Sequence, residues 1–253
     1  MDFALRLNQL AACAMLIIFC CGGALADEFQ VLSAGAIESG LKAAAAFEKQ
    51  TGHIAKITFN TASELKKRIQ NYPAFDVVLA PPAVIADFAA AGKLIDTRTN
   101  VGRVGMGVAV RDGAAVPDIS SPDALKRSVL EAESLVFNST STGMYFESLL
   151  KKVDVYAQIE DKTTRYADSA SVPEHVIKGQ DREVGFGAVT EILLYQGKGL
   201  KFVGLLPAAI QNYTSYTAAA LASDASEVLA RQFVIFLSGP VGKPLFVAAG
   251  ITD

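Results

Sequence analysis

An alternation of strand-like and helix-like segments in the first part of the chain is the feature that most restricts its fold. Strands are predicted over 29–34, 54–59 and 76–80, and each is followed by an amphipathic segment. The third strand is an almost continuous apolar run, which is typical of a strand covered by helices on both faces. Pro82 opens the next helix, in a first turn where proline loses no hydrogen bond. Three successive strand–helix units predict an α/β protein with a mostly parallel sheet and right-handed crossovers.

The second part of the chain continues this pattern with different connections. Strands are predicted over 104–110, 134–137, 183–189 and 201–206, and an extended segment is predicted over 213–221. A final amphipathic helix is ended by a Gly-Pro pair. Because no Pro- or Ser-rich linker interrupts the chain, a second lobe has to be joined to the first by strands.

The first 26 residues are predicted to be a secretion signal. Residues 10–19 are all apolar, but a membrane span needs roughly 20 apolar residues, so this run is too short to be an anchor. Ala24-Leu25-Ala26 supplies the small-x-small pattern that signal peptidase reads. We therefore expect cleavage after Ala26 and a periplasmic mature protein. All three cysteines precede that point, so no disulfide, thiolate nucleophile or cysteine metal site is expected in the mature chain.

Charge and composition exclude several classes of partner. The net charge is −3, and cleavage leaves it unchanged because the signal carries one arginine and one aspartate. A mildly acidic chain is a poor candidate for binding nucleic acid or an anionic membrane. The two histidines, His53 and His175, are far apart in the sequence, and a zinc site is not expected without more ligands. We expect a monomer that binds no nucleic acid and needs no cofactor or metal.

Small and hydroxyl-bearing residues recur where predicted strands pass into helices. Three such junctions are found, at Ala34-Gly35-Ala36, Thr61-Ala62-Ser63 and Ser141-Thr142-Gly143. Ligands of open α/β sheets bind beyond the carboxyl ends of the strands, and the first amides of a helix favour an anion. If the three junctions converge, they form a neutral cage of donors for an oxyanion or carboxylate. The alternative is that the hydroxyls of Thr61, Ser63 and Thr142 only cap their helices.

The order and spacing of several segments resemble one known family, the molybdate-type periplasmic solute-binding proteins. The resemblance covers essentially the whole mature chain and rests on VLSAGAIESGLKAAAAFEKQTG, FNTASELKKRI, FDVVLAPP, STGMYFESLLKK, EVGFGAVTEIL, KFVGLLP, YTSYTAAALA and SGPVGKPLFVAAGI. It implies a type II periplasmic binding protein of an ABC transporter, with two α/β lobes and the ligand in the cleft between them. Two crossover strands, near 106–111 and 211–219, would join lobe 1 (27–106 plus 217–253) to lobe 2 (107–216).

The resemblance also implies a set of ligand-binding positions, some of which depart from the family pattern. Ala36 replaces the serine of the first turn, and Ala188 replaces the tyrosine that hydrogen-bonds the oxyanion. The serine of the second junction is kept as Ser63. Thr142 aligns with a loop residue that gives a backbone amide, and the family's later backbone contact falls near Ser171. The predicted ligand-binding residues are Gly35, Ala36, Thr61, Ser63, Ser141, Thr142, Ser171 and Ala188.

The two departures weaken the case for molybdate or tungstate, because each lost hydrogen bond to a buried anion matters at roughly 1.5–3 kcal/mol. Alanine in place of tyrosine makes room for a larger organic carboxylate, for which an arginine could be a bidentate partner. The arginines considered for this role are Arg103, Arg165 and Arg182.

These observations predict a receptor without catalytic activity, which captures a small anion and docks on an ABC permease. The alternative is an exported isomerase or hydrolase of a small carboxylate on the same scaffold, since a fold does not fix function. Glu38, Glu64 and Glu147 are its candidate acids or bases, because each lies near the start of a predicted helix. A sensor or adhesion protein built on the same two lobes is a third possibility.

Overall fold

The computed structural model describes residues 27–70, 75–222 and 227–253, so the predicted signal over 1–26 lies outside the described residues. The strands are β1 (Glu28–Ala34), β2 (Ile54–Asn60), β3 (Val77–Ala80), β4 (Leu94–Arg111), β5 (Ser134–Asn138), β6 (Thr163–Tyr166), β7 (Glu183–Ala188), β8 (Leu200–Leu205), β9 (Tyr213–Leu221) and β10 (Ile251–Thr252).

The helices pack on the faces of these strands. They are α1 (Lys42–Thr51), α2 (Ala62–Gln70), α3 (Pro82–Ala90), α4 (Pro122–Glu131), α5 (Ser141–Lys152), α6 (Tyr156–Ile159), α7 (Ser171–Lys178), α8 (Val189–Tyr195), α9 (Glu227–Ser238) and α10 (Gly242–Ala248). A 3-10 helix over Gly35–Leu41 leads directly into α1, and shorter ones cover Glu160–Lys162 and Ala208–Ile210. Among the described residues, no helix is both long enough and apolar enough to cross a bilayer.

The strands form two sheets that share β4. In the first sheet β1 pairs in parallel with β2 and β3, and β9, β4 and β10 extend it in antiparallel pairing. In the second sheet β5 pairs in parallel with β6 and β7, and β4 lies antiparallel between β7 and β8. Each sheet therefore has a parallel set of three strands flanked by helices, which confirms the predicted α/β fold class.

Each sheet has its own aromatic core. Behind the first sheet, Phe29, Phe47 and Phe233 pack edge to face, with ring centroids 5.1–5.9 Å apart. In the second, the ring of Phe146 stacks on that of Phe186 at 4.0 Å. Edge-to-face and stacked pairs add specific geometry to the burial of large apolar surfaces. The two cores explain how each sheet is covered by its own helices.

Strand β4 is much longer than the sequence predicts, because it begins at Leu94 and not at Val104. Its first part, IDTRTN, alternates between half-buried and exposed residues, so apolar periodicity does not reveal it. Backbone pairing with β9 holds this part of the strand in place. The edge strand β6, TTRY, is half-buried along its whole length and has no apolar alternation, so the sequence does not predict it either.

The chain passes from one sheet to the other at two neighbouring points. Gly105 of β4 pairs with Tyr213 in the first sheet, and the next residue, Met106, pairs with Ala188 in the second. The return lies between Leu205 and Tyr213. The Gln211 carboxamide joins both passages, since it accepts from the Met106 amide (2.9 Å) and donates to the Met106 carbonyl (2.8 Å). Pairing thus places 213–216 in the first sheet; the division of the chain into lobe 1 and lobe 2 stays a prediction.

Candidate ligand-binding cleft

A cavity lies where β4 and β9 pass between the two sheets. Its volume is about 50 Å³. The lining residues come from both sheets: Ala36, Val104, Gly105, Met106, Thr140, Ser141, Thr142, Ser169, Ala188, Glu191, Asn212, Thr214 and Tyr216. Hydroxyl groups predominate among the polar side chains, and no lysine, arginine or histidine is present in this described lining. The cavity is therefore a polar cleft without a fixed positive charge.

The two sides of the cleft are in contact on one flank. The Thr190 hydroxyl, in the first turn of α8, donates to the Ala36 carbonyl at 2.8 Å. Thr190 is buried in this contact. Ala188 and Val189, which precede it, pack into the core of the first sheet although β7 belongs to the second. The cleft thus has a closed flank at α8, where the 3-10 helix after β1 meets the end of β7.

A buried asparagine organises the junction between β5 and α5. The Asn138 side-chain oxygen accepts from the Thr140 amide (3.0 Å), the Thr140 hydroxyl (2.8 Å) and the Gly143 amide (3.1 Å). Its side-chain nitrogen donates to the Ser169 hydroxyl at 3.0 Å. A Cβ atom on Gly143 would come within 1.7 Å of the Asn138 carbonyl oxygen, so only glycine allows this turn. Asn138 thereby fixes the loop between β5 and α5, which lines the cleft through Thr140.

This arrangement leaves two backbone donors at the cleft. Ser141 and Thr142 are the first residues of α5, whose opening amides have no acceptor within the helix. Asn138 takes up the Thr140 and Gly143 amides on either side. Within the described ranges, the amides of Ser141 and Thr142 have no hydrogen-bond partner. Both residues line the cleft, where such amides favour an anionic or carbonyl group.

Glu191 contributes a carboxyl group to the cleft. It is the third residue of α8, and its Oε2 atom is buried without a hydrogen-bond partner among the described residues. Burial raises the pKa of Glu191 to about 7; the negative charges of Asp168 and Glu38 add to this rise, and a hydrogen bond from Ser169 opposes it. A carboxyl group with this pKa can both hold and release a proton near neutral pH.

Tyr216 adds a phenol to the cleft from the crossover strand β9. Burial raises its pKa to about 12, and the nearby Glu191 adds to the rise. The phenol therefore stays protonated at neutral pH and can donate a hydrogen bond. The sequence predicts that the cleft lacks a tyrosine donor because Ala188 stands at the aligned position. A tyrosine nevertheless lines the cavity, supplied from a different strand.

The predicted ligand-binding residues are only partly brought together. Ala36, Ser141, Thr142 and Ala188 all line the cavity. Gly35 precedes Ala36 at the start of the 3-10 helix but does not line the cavity. The structure thus gathers positions from two of the three predicted junctions, and adds Ala188 at the end of β7.

The other three predicted positions lie elsewhere or are not described. Thr61 is exposed, and its amide and hydroxyl both donate to Glu64 at 3.1 Å. The side chain of Ser63 lies outside the described residues. The amide and hydroxyl of Ser171 both donate to Asp168 at 2.8 Å, while Ser169, two residues earlier, lines the cleft.

The predicted acids and bases have other surroundings. Glu38 is exposed. Hydrogen bonds from Thr61 hold the pKa of the exposed Glu64 below its usual value. Glu147 forms ion pairs with Lys151 and Arg165, and the hydrogen bond from Lys151 is the main reason that its pKa is lowered. None of the three lines the described cleft.

The three arginines proposed as carboxylate partners also lie outside the cleft lining. Arg103 lies over the ring of Tyr213 at 4.1 Å. Arg165 pairs with Glu147, and Arg182 donates to the Glu131 carbonyl. No bidentate arginine is therefore available in the described lining.

Sequence reasoning missed Asn138, Ser169, Glu191 and Tyr216. A weak signal was present for Glu191, because a glutamate three residues after a strand-ending alanine occupies the first turn of a helix. Tyr216 gave no such signal, since its place in the cleft depends on the path of β9 between the sheets.

Comparisons with known proteins agree with this architecture. A family model described as bacterial extracellular solute-binding protein matches residues 29–252. The curated aconitate isomerase of a Pseudomonas species is 26% identical over 219 residues, which cover 82% of this chain and 81% of that protein.

Two solved structures illustrate the likeness of fold. The periplasmic molybdate-binding protein of Azotobacter vinelandii has a TM-score of 0.68 at 19% identity, covering 89% of this chain and 99% of its own. A Clostridium difficile substrate-binding domain described as part of a molybdenum ABC transporter has a TM-score of 0.73 at 14% identity, covering 90% and 99%. At these identities the likeness shows the type II periplasmic binding protein fold alone.

Proposed function

Because this chain belongs to the family of bacterial extracellular solute-binding proteins, we propose that it is a periplasmic receptor that captures a small anion in its cleft. The captured solute would be an oxyanion or an organic carboxylate, delivered to an ABC permease in the inner membrane. The apolar run and small-x-small site before Asp27 support export. The likeness to molybdate-type binding proteins supports a transport role.

One observation carries the proposed choice of ligand. The amides of Ser141 and Thr142 open α5 at the cleft and have no partner within the described ranges. Unpaired helix-opening amides bind anions through hydrogen bonds and through the helix dipole. Thr214 and Tyr216 line the same cavity, and their hydroxyl groups are neutral donors.

The described lining has no arginine or lysine, which suits a cleft in which neutral donors hold the ligand. An anion held by amides and hydroxyls needs no counter-charge if enough donors converge on it. We therefore test both ligand classes.

Substituting Ser141 by proline removes one of the two unpaired amides and leaves the helix intact. Ser141 is the first residue of α5, and the preceding Thr140 is extended, with φ −82° and ψ −174°. Proline is tolerated at that helical position and after an extended residue. Loss of a hydrogen bond to a charged ligand should weaken binding by about 10- to 100-fold. The matched control, Ser141→Ala, keeps the amide and loses only the hydroxyl.

The measurement is a thermal-shift screen of the mature protein with molybdate, tungstate, sulfate, cis-aconitate and trans-aconitate. A ligand at 100 times its Kd stabilises by about 2.7 kcal/mol, which raises Tm by roughly 5–10 °C in a chain of this size. We expect a shift with at least one anion, a much smaller one in Ser141→Pro, and a nearly unchanged one in Ser141→Ala. Equal shifts in all three proteins would show that the Ser141 amide does not bind the ligand.

A second candidate function is an isomerase acting on a small carboxylate. It is favoured by Glu191, a carboxyl group in the cleft whose burial raises its pKa to about 7, and by the 26% identity to an aconitate isomerase. An isomerisation that removes a proton from carbon and returns it elsewhere needs one group able to accept and then donate. General acid–base catalysis is most efficient when the pKa of that group lies near the working pH.

The two functions are separated by following the ligand itself. The mature protein is incubated with cis-aconitate or trans-aconitate and the mixture is followed by proton NMR. A receptor returns each compound unchanged, whereas an isomerase brings both to the same equilibrium mixture. In the second case, Glu191→Gln should abolish conversion while the thermal shift persists.

A further inference from the structure

The carboxyl group of Glu191 is unusual among the groups that line the cleft. It is the one carboxylic acid in a described lining that contains no lysine, arginine or histidine. Its Oε2 atom is buried and has no hydrogen-bond partner among the described residues. A cleft suited to anions thus contains a group that becomes negative on ionisation, without a cation to neutralise it.

The groups facing Glu191 from neighbouring elements all disfavour its ionised form or are neutral. Glu38 on the 3-10 helix and Asp168 before α7 are acidic, and both raise the pKa of Glu191. Tyr216 on β9 and Tyr195 on α8 are phenols whose own pKa values are raised, so they remain neutral. Ser169 is the sole neighbour in this described set that stabilises the carboxylate, by a hydrogen bond.

An anion entering this cleft would meet an ionised Glu191 as a like charge in a partly desolvated space. Like charges in such a space repel strongly, because little water lies between them to screen the interaction. A protonated carboxyl group instead offers an O–H donor. The same side chain therefore opposes an anion when ionised and holds it when protonated.

We infer that Glu191 binds the captured anion in its protonated form, as a hydrogen-bond donor, so that each anion captured takes up one proton. The inference rests on the proposed anion receptor and adds a coupling that the receptor alone does not require. The unpaired Oε2 atom is the position from which the proton is donated. Ser141 and Thr142 line the same cavity, and their unpaired amides complete the set of donors.

This coupling fixes how affinity depends on pH. Because burial raises the pKa of Glu191 to about 7, the Kd should be constant well below that pH. Above it, the Kd should rise about tenfold per pH unit, since the binding-competent protonated form becomes tenfold scarcer with each unit. A neutral glutamine at this position cannot ionise and should remove the dependence.

The experiment measures binding of trans-aconitate and of molybdate by isothermal titration calorimetry from pH 5.5 to 8.5. At pH 8.5, titrations in buffers of different ionisation enthalpy give the number of protons taken up. Wild type should take up close to one proton at pH 8.5 and close to none at pH 5.5. In Glu191→Gln, proton uptake by the protein should be absent at both pH values. Protonation of the ligand itself is the same in both proteins and cancels in the comparison.

Glu38→Gln is the matched control, because it removes a neighbouring carboxylate that does not line the cleft. It should retain proton uptake, with the midpoint moved to lower pH. Equal affinity of wild type at all pH values, or the same pH dependence in Glu191→Gln, would overturn the coupling and leave anion capture standing. No binding of either anion by either protein at any pH would overturn both the coupling and the proposed receptor.

Discussion

Two glutamates occupy the same place in two helices and behave in opposite ways. Glu64 lies three residues after Thr61 at the start of α2, and Glu191 lies three residues after Ala188 at the start of α8. Hydrogen bonds from Thr61 lower the pKa of Glu64, which is fully exposed. Burial raises the pKa of Glu191, whose helix begins without a side-chain cap.

The difference shows how a local pattern decides whether a group is available to a ligand. Thr61 and Glu64 form a capping box: the Thr61 amide donates to the Glu64 carboxylate (3.1 Å), and the Glu64 amide donates to the Thr61 hydroxyl (3.4 Å). These groups satisfy one another. Ala188 has no hydroxyl, so Glu191 is not drawn back onto its own helix, and its carboxyl group lies in the cleft.

The largest expected effect is on the pH dependence of stability. The folded-state pKa of Glu191 is raised from 4.5 to about 7, so the folded chain holds this proton more tightly than the unfolded chain does. Its contribution to stability is fully present below about pH 4.5 and is lost as pH rises through 7. The loss is on the order of 3 kcal/mol. The free energy of unfolding of Glu191→Gln, minus that of wild type, should therefore be larger at pH 8 than at pH 4.

Urea denaturation at both pH values measures this effect. Glu64→Gln is the matched control, because the folded-state pKa of Glu64 is lowered and its contribution has the opposite sign: it is present at neutral pH and lost as pH falls. A stability difference between wild type and Glu191→Gln that is the same at pH 4 and pH 8 would contradict the burial of an ionisable carboxyl group.

An intermediate effect is expected from introducing a side-chain N-cap at α8, the helix that contains Glu191. Ala188 is extended, with φ −64° and ψ 133°, a backbone conformation that suits an N-cap. In Ala188→Ser the new hydroxyl should accept from the Glu191 amide and donate to its carboxylate. This should stabilise the protein by about 1 kcal/mol and lower the pKa of Glu191. Anion binding at neutral pH should weaken accordingly.

The control for this variant is Ala36→Ser, which adds a hydroxyl to the same cavity on a different helix, where it cannot cap α8. Denaturation and calorimetry are compared for both variants. If Ala36→Ser and Ala188→Ser change the pH midpoint of binding equally, the effect is one of cavity polarity and not of capping.

The smallest effect is expected at the first glutamate's own cap. Thr61→Ala removes the hydroxyl that accepts from the Glu64 amide, at an exposed helix start, and should cost about 0.5 kcal/mol, or roughly 1–2 °C in Tm. Anion affinity should remain within about twofold of wild type, because the Thr61 donors are directed to Glu64. A tenfold loss of affinity in calorimetry would show that Thr61 contributes to anion binding.

These contrasts also show what the sequence can predict. The strands from β1 to β3 follow apolar patterns, so their parallel pairing could be anticipated. The first part of β4 could not, because its backbone pairing with β9 sustains it without an apolar face. The cleft divides in the same way. Ser141 and Thr142 could be placed at a strand end, but nothing local shows that Asn138 satisfies the amides on either side of them.

Tyr216 and Glu191 mark the limit of such reasoning. Tyr216 reaches the cleft because β9 returns from one sheet to the other beside β4. A match of single positions to a family pattern therefore indicated a missing tyrosine, although another strand supplies one. The chemistry of the cleft depends on where distant strands cross, which no short segment encodes.

The carboxamide of Gln211 has a mechanical consequence for any movement between the two sheets. Within the described residues, two passages connect the sheets. Where these passages meet, the Gln211 side chain forms hydrogen bonds with both the amide and the carbonyl of Met106. Sliding one passage along the other would break both bonds together, whereas twisting about the line between them preserves both. The two hydrogen bonds therefore oppose sliding of one passage along the other.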